Sequence, residues 1–263
     1  MTLLLTLTTG SVQALFKKGC TAADLQSIPA LAMNQLGLRG LNIDAGQLGG
    51  WSPNDFDALR DHADKAACPC LVLVDRTVLK FGYDQPSSDE STDRLRRLAT
   101  AADRLGCNAL SVVTDVPLDD EDNLEVAIGE IRQLMTDIEA RELNLLLAIG
   151  GGMTATADGL IDLVKRVGGF RIGVLPIYGD GDDPVEHLRR LAPYAGAVHM
   201  RVEGFAKSGN HSGADLAAGV EALKRVGYQN TIAIEYTGKT KVEASIERAR
   251  DMLQQAIDAQ DGE

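Results

Sequence analysis

Short apolar segments recur along the whole chain and alternate with longer segments of mixed polarity. Their first residues lie 25 to 38 positions apart, which leaves room for a loop, a helix and a return after each segment. Apolar runs of this length, bounded by turn residues, are typical of buried strands. Eight such segments are found, at residues 3–7, 38–43, 71–74, 109–113, 145–149, 172–175, 197–200 and 232–234.

The intervening segments have the periodicity of amphipathic helices. Residues 92–105 place leucine and alanine on one stripe and arginine and aspartate on the opposite face, the pattern of a helix packed on one side. Gly106 follows directly and predicts the end of that helix. The same pattern predicts further helices over residues 122–140, 157–167, 184–192, 215–226 and 240–259.

Strands that alternate with helices indicate a parallel sheet, and eight such units in 263 residues predict a (β/α)₈ TIM barrel. A nucleotide-binding doubly wound fold is disfavoured, because neither its glycine fingerprint nor a Walker sequence occurs. The run Gly150-Gly151-Gly152 is interpreted as a flexible turn after strand five. The apolar start, residues 1–10, lacks the basic region of a signal peptide and is interpreted as the first strand. We therefore expect a single domain over residues 1–263.

Charge and cysteine content narrow the function classes. The chain has 26 Lys and Arg against 38 Asp and Glu, a formal net charge of -12, so its surface repels phosphate backbones and anionic lipid. Nucleic acids and membranes are thus poor partners. Cys20, Cys68, Cys70 and Cys107 follow no metal-binding or disulfide spacing, which predicts reduced thiols and a cytoplasmic location. The sequence leaves a homo-oligomer open.

In a TIM barrel the reactive residues lie at the carboxyl ends of the strands. Side chains alternate along a strand, so on predicted strand eight Ala233 and Glu235 face inward, and on strand seven His199 and Arg201 do. Glu235, His199 and Arg201 are therefore expected to converge at the mouth. The full set of polar strand-end residues is Asn42, Asp44, Asp75, Arg76, Thr114, Asp115, Tyr178, His199, Arg201, Glu203, Glu235 and Tyr236.

The same region carries a family resemblance. Residues 211–216 (HSGADL), 223–228 (LKRVGY) and 232–238 (IAIEYTG), together with 198–201 (VHMR), resemble the xylose isomerase-like sugar phosphate isomerase/epimerase superfamily. The likeness is specific over residues 197–253. Upstream of residue 197 the resemblance depends on the alternation of strands and helices and on residues 36–40 and 151–154. The resemblance implies a TIM barrel that acts on small carbohydrates.

Members of this family usually hold one manganese, magnesium, cobalt or zinc ion between Glu, Asp, His and Glu on strands five to eight. The resemblance puts His199 and Glu235 at the last two ligand positions and Ala148 and Ile177 at the first two, so the metal site is degenerate. One imidazole and one carboxylate leave about four positions of an octahedral ion to other groups. We expect no metal, or weakly bound Mn, Mg or Zn. Replacement oxygens could come from Asp44, Asp75 or Asp115.

Further residues are candidates for substrate binding. Lys239 lies before the last helix, where barrels often bind phosphate, although this position also suits an ordinary solvated helix start. His211 lies in the loop after strand seven, and Tyr178 follows strand six. Trp51 could form an apolar wall for a sugar ring, or it could pack on the barrel rim.

Two functions fit these residues. The first is an isomerase or epimerase of a small carbohydrate, polyol or sugar phosphate, with Glu235 as general base and His199 and Arg201 contacting substrate oxygens. Family epimerases use the glutamates of strands five and eight as two bases, and here only Glu235 remains. The second is a non-catalytic carbohydrate-binding or scaffold protein on the same barrel.

Overall fold

The computed structural model describes residues 3–16, 21–118, 120–206 and 209–259. All strand pairs in these ranges are parallel. The strands are β1 (Leu4–Thr8), β2 (Leu41–Asp44), β3 (Cys70–Lys80), β4 (Ala109–Val116), β5 (Asn144–Gly152), β6 (Ile172–Val174), β7 (Ile177–Tyr178), β8 (Ala197–Val202) and β9 (Thr231–Tyr236).

The helices cover the outside of this sheet. They are α1 (Ala22–Asn34), α2 (Pro53–Lys65), α3 (Gln85–Leu105), α4 (Glu121–Glu139), α5 (Ala157–Val167), α6 (Pro184–Leu191), α7 (Leu216–Arg225) and α8 (Val242–Asp258). Helix α3 begins seven residues before the predicted start at 92, because Asp84 caps it by accepting a hydrogen bond from the Ser87 amide. Within the described ranges, none of these helices is long and apolar enough to cross a bilayer.

The strand order β6-β5-β4-β3-β2-β1-β9-β8-β7 confirms the predicted TIM barrel. The first and last strands, β6 and β7, are the two halves of one chain segment, so this segment closes the sheet on itself. Pro176 separates the halves, since it has no amide proton to donate to a neighbouring strand. The bonds across the break run from the Leu175 amide to Leu147 O and from the His199 amide to Pro176 O, each 3.0 Å.

Two apolar layers hold the barrel. The interior is filled by side chains from alternate strand positions, namely Val72, Val74, Ala109, Leu146, Leu175 and Ala197. A larger layer lies between the strands and the helices, as expected for a barrel with a packed core. Cys68, Cys70 and Cys107 are free and buried, and burial raises the pKa of the Cys68 thiol to about 11. Cys20 lies outside the described residues.

The glycine run is not a flexible turn, which corrects the interpretation made from the sequence. Gly150, Gly151 and Gly152 belong to β5, and the last two pair with Asp115 and Val116 of β4. A Cβ atom on Gly150 would lie 1.8 Å from the carbonyl oxygen of Thr114. Only glycine permits so close an approach of two backbones, so the run serves strand packing.

Candidate active site

A polar cavity of about 200 Å³ lies at the carboxyl ends of β1, β2, β3, β8 and β9. Its position is that of the active site in TIM-barrel enzymes. Liquid water occupies about 30 Å³ per molecule, so the cavity has room for a small molecule. The cavity is lined by Thr8, Gly10, Ser11, Gln13, Asn42, Asp44, Val74, Arg76, His199, Glu235, Tyr236 and Thr237.

Glu235 and His199 meet in this cavity, as the alternation of side chains predicted. His199 of β8 pairs in register with Ala233 of β9, two residues before Glu235, so both side chains face inward. The imidazole is 1% exposed and Glu235 is 7% exposed. His199 Nδ1 and Glu235 Oε2 are 3.6 Å apart, and neither atom has a hydrogen-bond partner among the described residues.

Asn42 fixes the orientation of the imidazole. Its Nδ2 donates to His199 Nε2 at 2.9 Å, and Asn42 itself is 1% exposed. An amide nitrogen can only donate, so this contact makes Nε2 the acceptor and leaves the proton of a neutral ring on Nδ1, facing Glu235. The sequence placed Asn42 among the strand-end residues, but nothing in it indicated the contact with His199.

Arg76 pairs with the other oxygen of the carboxylate, through Nη2 and Glu235 Oε1. Its side chain is 44% exposed, so it covers Glu235 from the solvent side. Alternation from the inward Val72 and Val74 places Arg76 on the same face, and it lies in a bulge, because the pairing of β3 with β4 jumps from Asp75 to Val78 and two residues are left without partners. The sequence placed Arg76 among the strand-end residues without a direction for its side chain, and its pairing with Glu235 was not predicted.

The neighbours of Arg76 hold this bulge. Asp75 is buried and accepts from Arg94 of α3, with Nε–Oδ2 at 2.6 Å and Nη2–Oδ1 at 2.9 Å. Arg94 also donates to Thr77 Oγ1 at 2.9 Å. A two-point pair of this kind fixes geometry as well as charge, so Arg94 and Asp75 position the residue between Asp75 and Thr77.

The electrostatics of the cavity keep Glu235 ionised. Burial alone would raise the pKa of this carboxyl, but contact with the His199 ring and the charges of Arg76 and Arg201 outweigh burial and lower it to about 2. Glu235 is therefore an anion throughout the neutral range.

Arg201 lies next to this anion and is held from the other side. It is directly opposite Glu235 in the register of β8 and β9, and its Nη1 forms an ion pair with Asp180. Arg201 thus lies beside Glu235 on the neighbouring strand, although it is not among the residues that line the polar cavity.

The remaining candidates lie outside the polar cavity. Tyr178 is 1% exposed and donates to Asp215 O at 2.7 Å, so its hydroxyl points toward α7. His211 uses both ring nitrogens within its loop, on the Glu203 amide and Ala214 O. Trp51 packs against Phe56, with ring centroids 5.3 Å apart. Lys239 lines a separate cleft with Lys241 and Arg248.

Known structures show the same architecture. The chain is similar to L-ribulose 3-epimerase, with a TM-score of 0.79, 14% identity and coverage of 98% of this chain and 95% of that chain. It is also similar to D-psicose 3-epimerase from Clostridium cellulolyticum H10 with D-tagatose, with a TM-score of 0.75, 15% identity and coverage of 98% of this chain and 100% of that chain. A third similar structure is a xylose isomerase-like TIM barrel protein from Mycobacterium smegmatis in complex with magnesium, with a TM-score of 0.70, 14% identity and coverage of 97% of each chain.

The chain has the TIM-barrel fold of these structures. No family model and no curated protein matches its sequence. Identity of 14 to 15% to these structures establishes the fold, whereas function depends on the residues of the site itself.

The donor set does not suit the divalent ion that a xylose isomerase-like barrel implies. Ala148 and Ile177, at the positions where the resemblance implies the first two ligands, line a cavity with mostly apolar walls. No group of three or more His, Cys, Asp or Glu that could hold a metal occurs among the described residues. The two remaining ligands are also engaged, because a guanidinium pairs with Glu235 and Asn42 bonds to His199.

The three aspartates considered as substitute ligands have different positions in this barrel. Asp75 turns away from the mouth toward Arg94. Asp115 accepts from Tyr83 Oη at 2.7 Å. Asp44 lines the polar cavity, where its Oδ1 accepts from the Gly46 amide at 2.9 Å. Of the three, only Asp44 could add an oxygen near His199 and Glu235, which still leaves about half the positions of an octahedral ion unfilled.

The metal content of the purified protein tests this assessment. Protein purified without chelator is expected to hold well under one equivalent of Mn, Mg or Zn, because metal affinity requires several deprotonated ligands in place. Elemental analysis by mass spectrometry measures this directly, with the buffer as the blank. Stoichiometric manganese or zinc that is lost in Glu235→Gln would contradict the expectation.

Proposed function

We propose that the protein is an isomerase or epimerase of a small carbohydrate, free or phosphorylated, and that the polar cavity binds it. The proposal depends most on one observation, the ionised Glu235 carboxylate buried beside His199 and Arg76 in a cavity of small-molecule size. A buried charge with polar neighbours is costly to maintain unless a polar group satisfies it. A hydroxyl is both donor and acceptor, so it suits Glu235 Oε2 and His199 Nδ1.

The chemistry of this proposal begins with Glu235. A carboxylate in contact with a carbon acid can take the proton from the carbon beside a carbonyl, and return of that proton to either face or to the neighbouring carbon gives epimerisation or isomerisation. His199 and Arg201 contact substrate oxygens and stabilise the negative charge that develops on the carbonyl oxygen. The structural neighbours named for L-ribulose and D-psicose make ketoses the first substrates to test.

Arg76 adjusts the basicity of Glu235 in this scheme, in addition to the larger lowering of the pKa by His199. A carboxylate with a pKa of about 2 is a weak base while the guanidinium pairs with it. When Arg76 moves to a substrate oxygen, the loss of that charge raises the pKa of Glu235, and the carboxylate becomes a stronger proton acceptor. The exposed side chain of Arg76 allows this movement, and substrate binding and base activation are then coupled.

A carbohydrate-binding protein without turnover is the second candidate. It is favoured by Ala148 at the position where the resemblance implies the second glutamate, since one base must then serve both faces of the substrate carbon. The strong pairing of Glu235 with Arg76 favours it too. Both candidates use the same cavity and differ only in proton exchange.

Solvent exchange separates the two candidates. In D2O, the wild-type protein is expected to incorporate deuterium into D-psicose, L-ribulose or their phosphates. Glu235→Gln is expected to reduce that rate by about a hundredfold or more, the usual contribution of a general base, with the dissociation constant nearly unchanged. Proton NMR measures the exchange and calorimetry the binding.

Glu203→Gln is the matched control, because Glu203 is exposed and lies outside the polar cavity. It is expected to behave as wild type. Binding without exchange in the wild type would support the binding protein instead. No binding of any of these sugars would refute both candidates and favour a scaffold protein on the same barrel.

A further inference from the structure

A second cavity of about 490 Å³ lies on the other side of the barrel mouth, between β4, β5 and β7 and the start of α5. It is more than twice as large as the polar cavity. Its lining residues are Val113, Ala148, Ile149, Ala155, Thr156, Ala157, Leu175, Ile177, Asp180, Gly181, His187 and Arg190.

The inner wall of this cavity is apolar. Ala148 is 7% and Leu175 2% exposed, and Val113 and Ile177 lie beside them. The ionisable lining residues Asp180, His187 and Arg190 are all partly exposed, and Asp180 and Arg190 already form ion pairs, with Arg201 and Asp158. A concave apolar wall with polar groups at its rim is the usual form of a small-molecule site.

The second cavity adjoins the polar one. Ile177, in its wall, is directly opposite His199 in the register of β7 and β8, so the two residues occupy neighbouring strands about 4.8 Å apart. The ion pair between Asp180 and Arg201 joins the rims, since Asp180 lines the second cavity and Arg201 faces Glu235. A single ligand can therefore contact both cavities.

We propose that the second cavity binds an apolar substituent of the ligand whose hydroxylated part lies at Glu235 and His199. This inference rests on the proposed function and specifies its substrate class, namely an aryl- or alkyl-substituted sugar. Ala148 and Ile177 then have a direct role, because they supply apolar surface where the family resemblance implies charged ligands. A charged substituent would find no unpaired counter-ion at Asp180 or Arg190 and would lose its hydration.

Three probes test the two cavities separately. Binding of D-psicose tests the polar cavity, and binding of benzyl alcohol tests the apolar one. The affinity for 1-O-benzyl-D-psicose, compared with that for 1-O-methyl-D-psicose, tests whether one ligand uses both cavities. The wild type is expected to bind the benzyl ether about tenfold more tightly than the methyl ether, from the apolar area of one ring. Calorimetry measures the ethers, and saturation-transfer NMR measures benzyl alcohol.

Two variants fill the cavity from different sides. Ala148→Leu adds bulk at the inner wall, and Ala155→Trp adds it at an exposed rim position where folding is not at risk. Both are expected to abolish the preference for the benzyl ether and to expel benzyl alcohol, with affinity for the methyl ether unchanged. Ala30→Trp, at an exposed position of α1, is the matched control and is expected to keep the preference.

The outcomes separate this inference from the proposed function. Equal affinity for the two ethers in the wild type, or a preference that survives both filling variants, would overturn the apolar site even if D-psicose binds. Benzyl alcohol that binds the wild type and is expelled by both variants, while D-psicose fails to bind, would support the apolar site and refute the proposed sugar substrate.

Discussion

Replacement of Arg94 by alanine is expected to lower the free energy of unfolding by about 3 kcal/mol, because it leaves a buried carboxylate without its counter-ion. Asp75 is 3% exposed and would lose both hydrogen bonds that it accepts from the guanidinium. The lower end of the usual range for such a change applies, since the side chain of Arg94 is 35% exposed and water can partly replace it. Urea unfolding followed by circular dichroism measures the loss.

Arg96→Ala is the matched control on the same helix. Arg96 pairs with Asp137 at 2.9 Å, but both side chains are well exposed, at 48% and 38%, and a surface pair contributes under about 1 kcal/mol. The double variant Arg94→Ala with Asp75→Asn removes the buried charge together with its partner and is expected to recover part of the stability. Equal losses in Arg94→Ala and Arg96→Ala would show that Asp75 remains satisfied without Arg94.

The same substitution reports on the site, because the Arg94–Asp75 pair holds the bulge that carries Arg76. If the bulge relaxes, Arg76 leaves Glu235, and the affinity for D-psicose is expected to change in Arg94→Ala but not in Arg96→Ala. Stability and binding are thus linked through one feature of β3. A helix on the outside of the barrel thereby positions a residue at its mouth.

The sequence predicted those parts of the site that regular strands determine. His199, Arg201 and Glu235 are on uninterrupted strands, so alternation places them inward and the parallel register brings them to one end. The same rule puts Ile177 inward and Tyr178 on the opposite face, against α7. A polar residue at a strand end is therefore a candidate only when its alternation is also inward.

Irregular backbone limited the prediction elsewhere. The bulge of β3 leaves Arg76 and Thr77 without partners on β4, and no local pattern of polar and apolar residues marks a bulge, so the pairing of Arg76 with Glu235 could not be predicted. The contact of Asn42 with His199 joins residues 157 positions apart and depends on barrel closure. Gly150 is explained by the approach of Thr114 O, a tertiary contact that a glycine run alone does not distinguish from a turn.

The acid sensitivity of the protein is expected to depend on Glu235. Its pKa falls from an ordinary 4.5 to about 2 on folding, so the folded state binds the proton more weakly than the unfolded state does. The resulting stability is fully present above about pH 5 and is lost as the pH falls toward 2. A shift of this size corresponds to about 3 kcal/mol, of which about 2 kcal/mol is lost between pH 6 and pH 3.

Comparison with Glu235→Gln isolates this contribution, because glutamine does not titrate. The difference in unfolding free energy between wild type and Glu235→Gln is expected to shrink by about 2 kcal/mol from pH 6 to pH 3, measured by urea unfolding at each pH. Glu221→Gln removes one carboxylate and an exposed pair with Arg225 at 3.0 Å, so it controls for net charge. Its difference in unfolding free energy from wild type is expected to change by under about 1 kcal/mol over the same pH range. If the unfolding free energies of wild type and Glu235→Gln depend on pH in the same way, Glu235 is not held as an anion by His199, Arg76 and Arg201. That result would also contradict the proposed coupling of substrate binding to base activation through Arg76.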